Sequence, residues 1–213
     1  MTKEHIMHVI ALNGSPKKDG NTFQAIKLVT DELEKEGITV EIIHVGNKAS
    51  EGCRACGSCA KTGACIITTD SVNETAVRIG RADGLIIGSP VHYASIAGTL
   101  KNYLDRMFFS AGRRVMRHKV AAAVVTVRRT GGMSTFHDLN SYLLIAEAIV
   151  PASNYWNVIH GQKPGEIHGD TEGVQCMRVL GRNMAWVMKL IEHGKGTVSE
   201  PEGEQKQMMN FIH

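Results

Sequence analysis

The feature that most constrains the fold of this chain is a fivefold alternation between short apolar segments and amphipathic segments. The apolar segments have the length and the Val and Ile content of strands, and the segments between them carry apolar residues at helical spacing. Residues 120–127 are apolar at nearly every position, as strands covered on both faces of a parallel sheet are. The alternation predicts an α/β fold with a parallel sheet and right-handed crossover connections.

The predicted strands cover residues 6–12, 38–45, 84–90, 120–127 and 150–159. The predicted helices cover residues 22–36, 70–81, 96–110, 134–149 and 174–193. We expect these elements to form one domain, residues 1–193, with a Cys-rich loop at residues 46–68. Residues 194–213 are polar until an apolar end that contains Met208, Met209, Phe211 and Ile212. They predict a C-terminal tail that is frayed or packed on a neighbouring subunit.

Composition argues against several classes of function. The 213 residues suffice for one domain with a full core, and a second domain is not required. A formal net charge of +3 is too small to indicate a nucleic-acid-binding protein. No run of 18 apolar residues that could span a membrane is present. The first residues lead directly into a strand without the apolar core of a signal peptide, so we expect a cytoplasmic protein.

The turn after the first strand has the composition of an anion-binding loop. It reads Asn13-Gly14-Ser15-Pro16-Lys17-Lys18-Asp19-Gly20-Asn21-Thr22. Hydroxyl groups of Ser15 and Thr22 stand beside Asn21 and the free amides of a helix N-terminus, which together attract anions. The turn lacks both the Gly-Lys-Ser/Thr ending of a P-loop and the G-x-G-x-x-G dinucleotide pattern. A monophosphate such as that of FMN suits it better, and an ordinary turn before a Thr-capped helix is the alternative.

Two further loops follow predicted strands and belong to the same edge of the sheet, where ligands of α/β proteins bind. The first contains Ser89-Pro90-Val91-His92-Tyr93, in which Tyr93 is suited to flank an aromatic ring and His92 is a candidate hydrogen-bond donor. The second, Arg128-Arg129-Thr130-Gly131-Gly132, offers amides and guanidinium groups that would stabilise negative charge on a reduced flavin. A solvent-facing histidine and a surface turn with solvated arginines are the alternatives.

The most specific motif is the run Cys53-x-x-Cys56-x-x-Cys59-x5-Cys65. Four of five cysteines within 13 residues favour thiolate ligands or free thiols over a disulfide framework. The compact spacing lets one loop hold three corners of a 4Fe–4S cubane, with Cys65 as fourth ligand. Zinc usually takes two pairs separated by a longer spacer. The spacing leaves three readings open, namely a cluster, zinc and a metal-free thiol loop. The fifth cysteine, Cys176, is predicted to be a small buried hydrophobe.

The ordered motifs resemble those of the NADPH-dependent FMN reductase family. The resemblance rests on Gly14-Ser15-Pro16-x4-Asn21-Thr22, on Gly63-x-Cys65, on Gly88-Ser89-Pro90-Val91-x-Tyr93 and on Leu100-Lys101-x3-Asp105-Arg106. Within the family the chain most resembles the iron–sulfur flavoproteins, over about residues 6–193. The resemblance implies a flavodoxin-like three-layer sandwich around a five-stranded parallel sheet of order 2-1-3-4-5, with FMN bound.

The resemblance also implies roles for individual residues. The FMN phosphate would bind Ser15, Lys17, Asn21 and Thr22. The ring would be lined by Pro90, Val91, His92, Tyr93, Thr130, Gly131 and Gly132. The four cysteines of the run would hold the 4Fe–4S cluster, and Asp105 and Arg106 would form a structural ion pair. The loop often has an aromatic residue at position 92, so the histidine there leaves the ring contact open between His92 and Tyr93.

The expected function is an FMN-dependent oxidoreductase that uses NAD(P)H to reduce flavin, quinone or another small acceptor. No catalytic side chain is required, because the isoalloxazine ring carries the chemistry. The alternative is an electron carrier that passes electrons from ferredoxin through a 4Fe–4S cluster to FMN. A redox or metal sensor is a third reading. Family members are commonly dimers or tetramers, so we expect a homodimer or homotetramer. The basic residues 113–119 are either a docking patch for an acidic partner or a nicotinamide phosphate, or a solvated helix end.

Overall fold

The computed structural model describes residues 5–48 and 50–209. The strands are β1 (His8–Asn13), β2 (Thr39–His44), β3 (Gly84–His92), β4 (Ser95–Ile96), β5 (Val120–Val127) and β6 (Val158–His160). The α-helices are α1 (Asn21–Lys35), α2 (Cys59–Thr62), α3 (Val72–Arg81), α4 (Gly98–Met116), α5 (Gly132–Ile145) and α6 (Thr171–Gly194). A short 3-10 helix (Glu166–Gly169) precedes α6.

Five strands form a parallel sheet in the order β2-β1-β3-β5-β6. The two-residue strand β4 pairs antiparallel with the end of β3 as a hairpin. When β4 is set aside, the order is the predicted 2-1-3-4-5, and the flavodoxin-like α/β fold is confirmed. The order places β1 and β3 at the centre, so the loops after these strands meet at the edge where ligands bind.

The sheet is buried on both faces because alternate side chains of its strands point in opposite directions. Ile10 and Leu12 of β1 pack with α3, α4 and α5 on one side. Val9 and Ala11 of the same strand pack with α1 and α6 on the other. The three layers therefore follow directly from continuous apolar strands between amphipathic helices.

The last strand is much shorter than the sequence predicts. The strand beside β5 is Val158–His160, residues 151–157 are irregular, and Ile149 makes an isolated bridge to Val120. Pro151 has no amide to contribute to a ladder. Further along, the side chain of Asn157 donates to the carbonyl of Ala123 at 3.1 Å. The backbone carbonyl of Asn157 also accepts from the amide of Val125 at 3.0 Å, so the pairing of β6 with β5 begins at this residue.

Several helix boundaries also differ from prediction. Helix α4 continues to Met116, since Ala111, Val115 and Met116 remain buried at helical spacing. Helix α5 begins at Gly132 and ends four residues early, because Glu147 adopts a left-handed conformation with φ of 58°. No helix of the described residues is long and apolar enough to cross a membrane.

The basic residues 113–119 are bonded within the chain. Arg117 donates to the carbonyl of Pro201 at 2.7 Å, and Arg113 donates to that of Glu204 at 3.2 Å. Lys119 donates to three carbonyl groups near the end of α3 at 2.6–2.7 Å. Residues 200–204 of the tail therefore lie on this basic surface, whereas Phe211 and Ile212 lie outside the described residues. Arg113, Arg117 and Lys119 therefore already have hydrogen-bond partners within the chain.

Candidate functional site

The predicted phosphate loop is fixed in shape by residues behind it. The Asn13 carboxamide accepts from the amide of Ser15 at 3.1 Å and donates to the carbonyl of Lys18 at 2.8 Å. His44, at the end of β2, donates from Nε2 to the carbonyl of Ser15 at 2.7 Å. A Cβ at Gly46 would lie 2.2 Å from that same carbonyl oxygen, so only glycine fits there. The loop is therefore held rigidly from the protein side.

On the ligand side the loop presents hydrogen-bond donors. Ser15 Oγ accepts from the amide of Lys17 at 3.1 Å, which leaves its own hydrogen to donate elsewhere. Helix α1 starts after Gly20 without a side-chain cap, unlike α6, whose first turn is capped by Asp170 at 2.9 Å. The uncapped amides of residues 21–23 and the exposed Lys17 can therefore bind an anion. This donor set fits a phosphate group.

Two predicted phosphate ligands have side chains engaged elsewhere. Asn21 donates from Nδ2 to the carbonyl of Lys163 at 3.0 Å and accepts from the amide of Gly165 at 2.8 Å. Thr22 is buried, and its hydroxyl lies 2.8 Å from that of Thr126 on β5. The groups that these two residues offer a phosphate are thus their backbone amides. The loop at residues 163–165, which sequence reasoning missed, closes one side of the site.

The first predicted ring segment is a hairpin rather than an open loop. Pro90, Val91 and His92 extend β3, which pairs with β4 through a two-residue turn. The turn residues Tyr93 and Ala94 have φ of 48° and 63°, the mirror-image conformation that tight hairpins use and that usually requires glycine or asparagine. Tyr93 is fully exposed at the tip, and His92 is exposed beside it. The turn therefore holds strain at a candidate ligand site.

The second ring segment lies against this hairpin. Gly131 has φ of 88°, and a Cβ there would lie 2.8 Å from Cα of Ala94, so the close approach requires glycine. Ser134 Oγ donates to the carbonyl of Ala94. Helix α5 begins at Gly132 without a side-chain cap, which leaves amides beside the exposed Thr130. The structure thus brings the two predicted ring segments into contact.

A cleft of about 540 Å³ adjoins the second ring segment. The rings of Tyr155 and Trp156 stand on its wall with centroids 4.4 Å apart, nearly edge to face. His160 is oriented by Asp170, since its Nδ1 lies 3.0 Å from that carboxylate. Sequence reasoning missed all four residues. The sequence signal that could have indicated this cleft is the adjacent aromatic pair, since only 5% of the residues in the chain are aromatic.

The four cysteines of the run line one small cavity of about 20 Å³, together with Arg106 and Phe109. The backbone turns around this cavity at three residues with a left-handed conformation, namely Ala55, Gly57 and Gly63. Within residues 5–48 and 50–209, no three metal-binding side chains are close enough to hold one ion. Four thiolates are the donor set of a 4Fe–4S cubane, which gives each thiolate its own iron. The cavity must widen to admit a cluster, which the exposed, mostly irregular loop permits.

The individual thiols differ in their surroundings. Cys53 and Cys56 are exposed, and Cys59 and Cys65 are half-buried. The backbone amide and the hydroxyl of Ser58 lower the pKa of Cys56 below its ordinary value, which favours the thiolate. Cys176 lies far along the chain on α6, is buried, and has a pKa raised by burial, as expected for a structural cysteine.

Arg106 links the Cys-rich loop to α4. Its side chain is wholly buried, and its Nε donates to Cys65 Sγ at 3.3 Å. Its two terminal nitrogens bind the carboxylate of Asp70, and one also donates to the carbonyl of Ile67 at 2.9 Å. Burial raises the pKa of Asp70, but the guanidinium and nearby donors outweigh it and hold the pKa below its usual value. A buried ion pair therefore closes the base of the loop.

The predicted ion pair between Asp105 and Arg106 is wrong. Asp105 instead accepts from Lys101 Nζ at 2.7 Å and from the hydroxyl of Tyr142. Burial and the bond to Asp105 raise the pKa of Tyr142 to about 12. Consecutive residues on an α-helix point about 100° apart, so neighbours in sequence face different partners. Each charge is structural, but the two belong to separate pairs.

The fold and the loop geometry define a flavoprotein class: a parallel sheet with a phosphate-type loop and two contacting ring segments at one edge. A flavodoxin from the domain Archaea has the same fold, with a TM-score of 0.56 and 13% identity over 86% of this chain and 99% of that chain. The family of NADPH-dependent FMN reductases matches residues 7–163, and the chain belongs to this family. It is an FMN-dependent oxidoreductase, so the sensor reading is not retained.

Two relatives indicate the nearest branch of the family. An iron-sulfur flavoprotein of Methanocaldococcus jannaschii is 34% identical over 196 residues, covering 87% of this chain and 100% of that protein. An iron-sulfur flavoprotein of Archaeoglobus fulgidus is 30% identical over 179 residues, covering 84% of this chain and 79% of that protein. The chain is therefore similar to iron–sulfur flavoproteins over nearly its whole length.

Proposed function

We propose that this FMN-dependent oxidoreductase carries a second redox centre, a 4Fe–4S cluster, and exchanges single electrons with a ferredoxin-like protein through it. The observation that carries the proposal is the lining of one cavity by all four cysteines of the run. The donor set of a cubane is four thiolates, and one short loop supplies them. The names of the two relatives, both iron-sulfur flavoproteins, support an iron–sulfur centre beside the flavin.

The FMN phosphate is assigned to the loop after β1. Ser15 donates from its hydroxyl, the start of α1 donates from its backbone amides, and Lys17 supplies a positive charge. Asn21 keeps the neighbouring loop in place through Gly165. When bound, the isoalloxazine ring supplies the chemistry by accepting a hydride or single electrons.

The ring is assigned to the two contacting segments. The first offers Pro90, Val91, His92 and Tyr93, and the second offers Thr130, Gly131 and Gly132. Backbone amides at the uncapped start of α5 are suited to stabilise negative charge at the edge of the ring. The side chains of these segments orient the ring and exclude water, and none is required to act as an acid or base.

A second candidate function is reduction of flavin, quinone or another small acceptor by NAD(P)H, with a thiol loop that binds no metal. The family supports this reading, since its name states dependence on NADPH. The small volume of the cysteine-lined cavity and the exposure of Cys53 and Cys56 also favour it. In this reading the cleft beside Gly131 and Trp156 is the place for an acceptor.

We also propose that the protein is cytoplasmic and assembles as a homodimer or homotetramer. Exposed apolar side chains support an assembly, since a monomer gains nothing from their exposure. They lie on α5 and on the loop before β6, and they are Leu144, Ile145, Tyr155 and Trp156. The exposed Tyr93 at the hairpin tip is a further candidate contact between copies.

Electron donors distinguish the two candidate functions. Anaerobic protein would be mixed with NADPH or with a reduced bacterial ferredoxin, and bleaching of the flavin followed in wild type and in Cys56→Ser. The cluster route predicts fast reduction by ferredoxin in wild type and loss of that reduction in Cys56→Ser. Equal reduction of both proteins by ferredoxin, or reduction by NADPH alone, would contradict it.

A further inference from the structure

Cys65 is held differently from the other three cysteines of the run. The side chain of Asn73 on α3 clasps its backbone, accepting from its amide and donating to its carbonyl, both at 2.8 Å. Its sulfur accepts from Arg106 Nε at 3.3 Å. Cys53 and Cys56 instead lie in an exposed part of the loop. Cys65 is therefore the fixed corner of the proposed cluster site.

The donor to this sulfur is an unusual one. The Arg106 side chain has 0% of its surface exposed. The Asp70 carboxylate orients its guanidinium by binding the terminal nitrogens, while Nε faces Cys65. Hydrogen bonds from a charged donor are stronger than neutral ones, and burial strengthens them further. The planar guanidinium also fixes the direction of Nε, which a lysine ammonium would not.

We propose that Arg106 is a positioning residue that raises the reduction potential of the cluster through Cys65. This inference rests on the cluster of the proposed function. Reduction adds one negative charge to a centre that four thiolates already make negative. A buried cationic N–H at one sulfur stabilises that added charge, and hydrogen bonds to cluster sulfurs are among the determinants of potential.

The same helix also reaches the flavin side of the molecule. Helix α4 starts directly after the hairpin, where the amide of Ala97 donates to Ser89 Oγ at 3.2 Å. Arg106 lies about two turns further along that helix. The residue that contacts Cys65 is thus anchored, through one rigid element, to the strand that carries the first ring segment.

The test compares variants of the holoprotein prepared without oxygen. Arg106→Gln removes the charge, Arg106→Lys keeps the charge but loses the fixed Nε–H, and Arg114→Gln is the matched control. Arg114 donates to the carbonyl of Gly63 in the same loop at 2.7 Å and contacts no sulfur among the described residues. Iron per chain and the midpoint potentials of the cluster and of FMN would be measured for each protein.

We expect Arg106→Gln to lower the ratio of reduced to oxidised cluster, at a fixed applied potential, about tenfold. For a one-electron couple this corresponds to about 59 mV. Arg106→Lys should fall between that variant and wild type. The FMN potential should stay unchanged in every variant, and Arg114→Gln should match wild type throughout.

Three outcomes overturn the inference. Arg106→Gln or Arg106→Lys with full iron and a wild-type cluster potential would show that Arg106 does not act on the cluster. Loss of iron from both Arg106 variants would show that the residue serves only to keep the loop in the shape that binds iron. A wild-type protein without iron would refute the cluster itself and this inference with it, which separates the failure of the proposed function from the failure of the role of Arg106.

Discussion

The carboxamide of Asn21, the first residue of α1, holds the backbone of Gly165, 144 residues further along, with its Oδ1 accepting from the Gly165 amide at 2.8 Å. The same side chain donates to Lys163 at 3.0 Å. A residue that the motif assigns to phosphate binding thus also joins the phosphate loop to the segment before α6. The two loops form one wall of the proposed FMN site.

Replacing Asn21 should therefore loosen a distant loop. In Asn21→Ala we expect faster hydrogen exchange at residues 161–166 and weaker retention of FMN, because the loop loses two hydrogen bonds worth about 1 kcal/mol each. Hydrogen exchange with mass spectrometry and FMN titration would measure both effects. Lys27→Ala, which removes exposed ion pairs with Asp31 and Glu34 on the same helix, is the matched control. Wild-type exchange in the Asn21 variant would contradict the assigned role.

Ser15 and Thr22 should respond differently to loss of their hydroxyl groups. Ser15→Ala should weaken FMN binding by about 1.5–3 kcal/mol, since it removes a donor to a charged group. Thr22→Val should instead lower the free energy of unfolding by about 1 kcal/mol, because it leaves Thr126 without its buried partner. FMN titration and urea unfolding of the apoprotein would separate the two. An equal loss of FMN affinity in both variants would refute the distinction.

The hairpin turn should gain stability when its strain is relieved. Ala94 has φ of 63°, where a Cβ is unfavourable, so Ala94→Gly should raise the free energy of unfolding by about 0.5–1 kcal/mol. Ala97→Gly is the control, since Ala97 has φ of −53° and the substitution should destabilise. Thermal unfolding would measure both. Destabilisation by Ala94→Gly would show that the turn is not strained.

The cap of α6 should make stability depend on pH. Burial raises the pKa of Asp170, but the amides of Gly173 and His160 and the His160 ring outweigh it, so the pKa lies below its ordinary value of 3.8. A lowered pKa means that the carboxylate stabilises the folded state above that ordinary value and ceases to do so as pH falls through the folded-state pKa.

Asp170→Asn keeps an oxygen for the Gly173 amide but loses the charged acceptor that faces the amide and ring of His160. It should therefore cost about 1 kcal/mol at neutral pH, and the difference from wild type should shrink in acid. Urea unfolding at neutral and acidic pH would measure it. Glu172→Gln, which removes an exposed carboxylate from the same first turn without touching the cap, is a suitable control. A difference that is independent of pH would contradict the assignment.

Much of the fold could be predicted because the relevant signals are local. Continuous apolar strands such as β5 are buried on both faces, and the helix periodicities show which face of each helix packs against the sheet. The length of the last strand could not be predicted, because an irregular segment, residues 151–157, separates an isolated bridge at Ile149 from the backbone pairing that begins at Asn157. The point at which pairing stops and resumes is decided by tertiary contacts, which leave no periodic trace in the sequence.

In the candidate site, too, local motifs could be predicted from the sequence and contacts between distant residues could not. The motifs predicted a phosphate loop and two ring segments, and the structure brings the two segments into contact. The partner of Arg106 was mistaken because helix geometry, and not adjacency, decides which carboxylate an arginine reaches. The Tyr155–Trp156 pair was missed because the exposure of an aromatic residue depends on the tertiary fold and not on local pattern.

The central claim is that one chain carries both FMN and a cluster, and the composition of the protein tests it most directly. Protein purified without oxygen would be assayed for FMN, iron and sulfide, and its visible spectrum recorded, with Cys56→Ala as the comparison. We expect one FMN and about four irons per chain, with broad absorbance over the flavin bands. We also expect a folded, iron-free Cys56→Ala. A wild-type protein with FMN, a two-banded flavin spectrum and no iron would contradict the central claim.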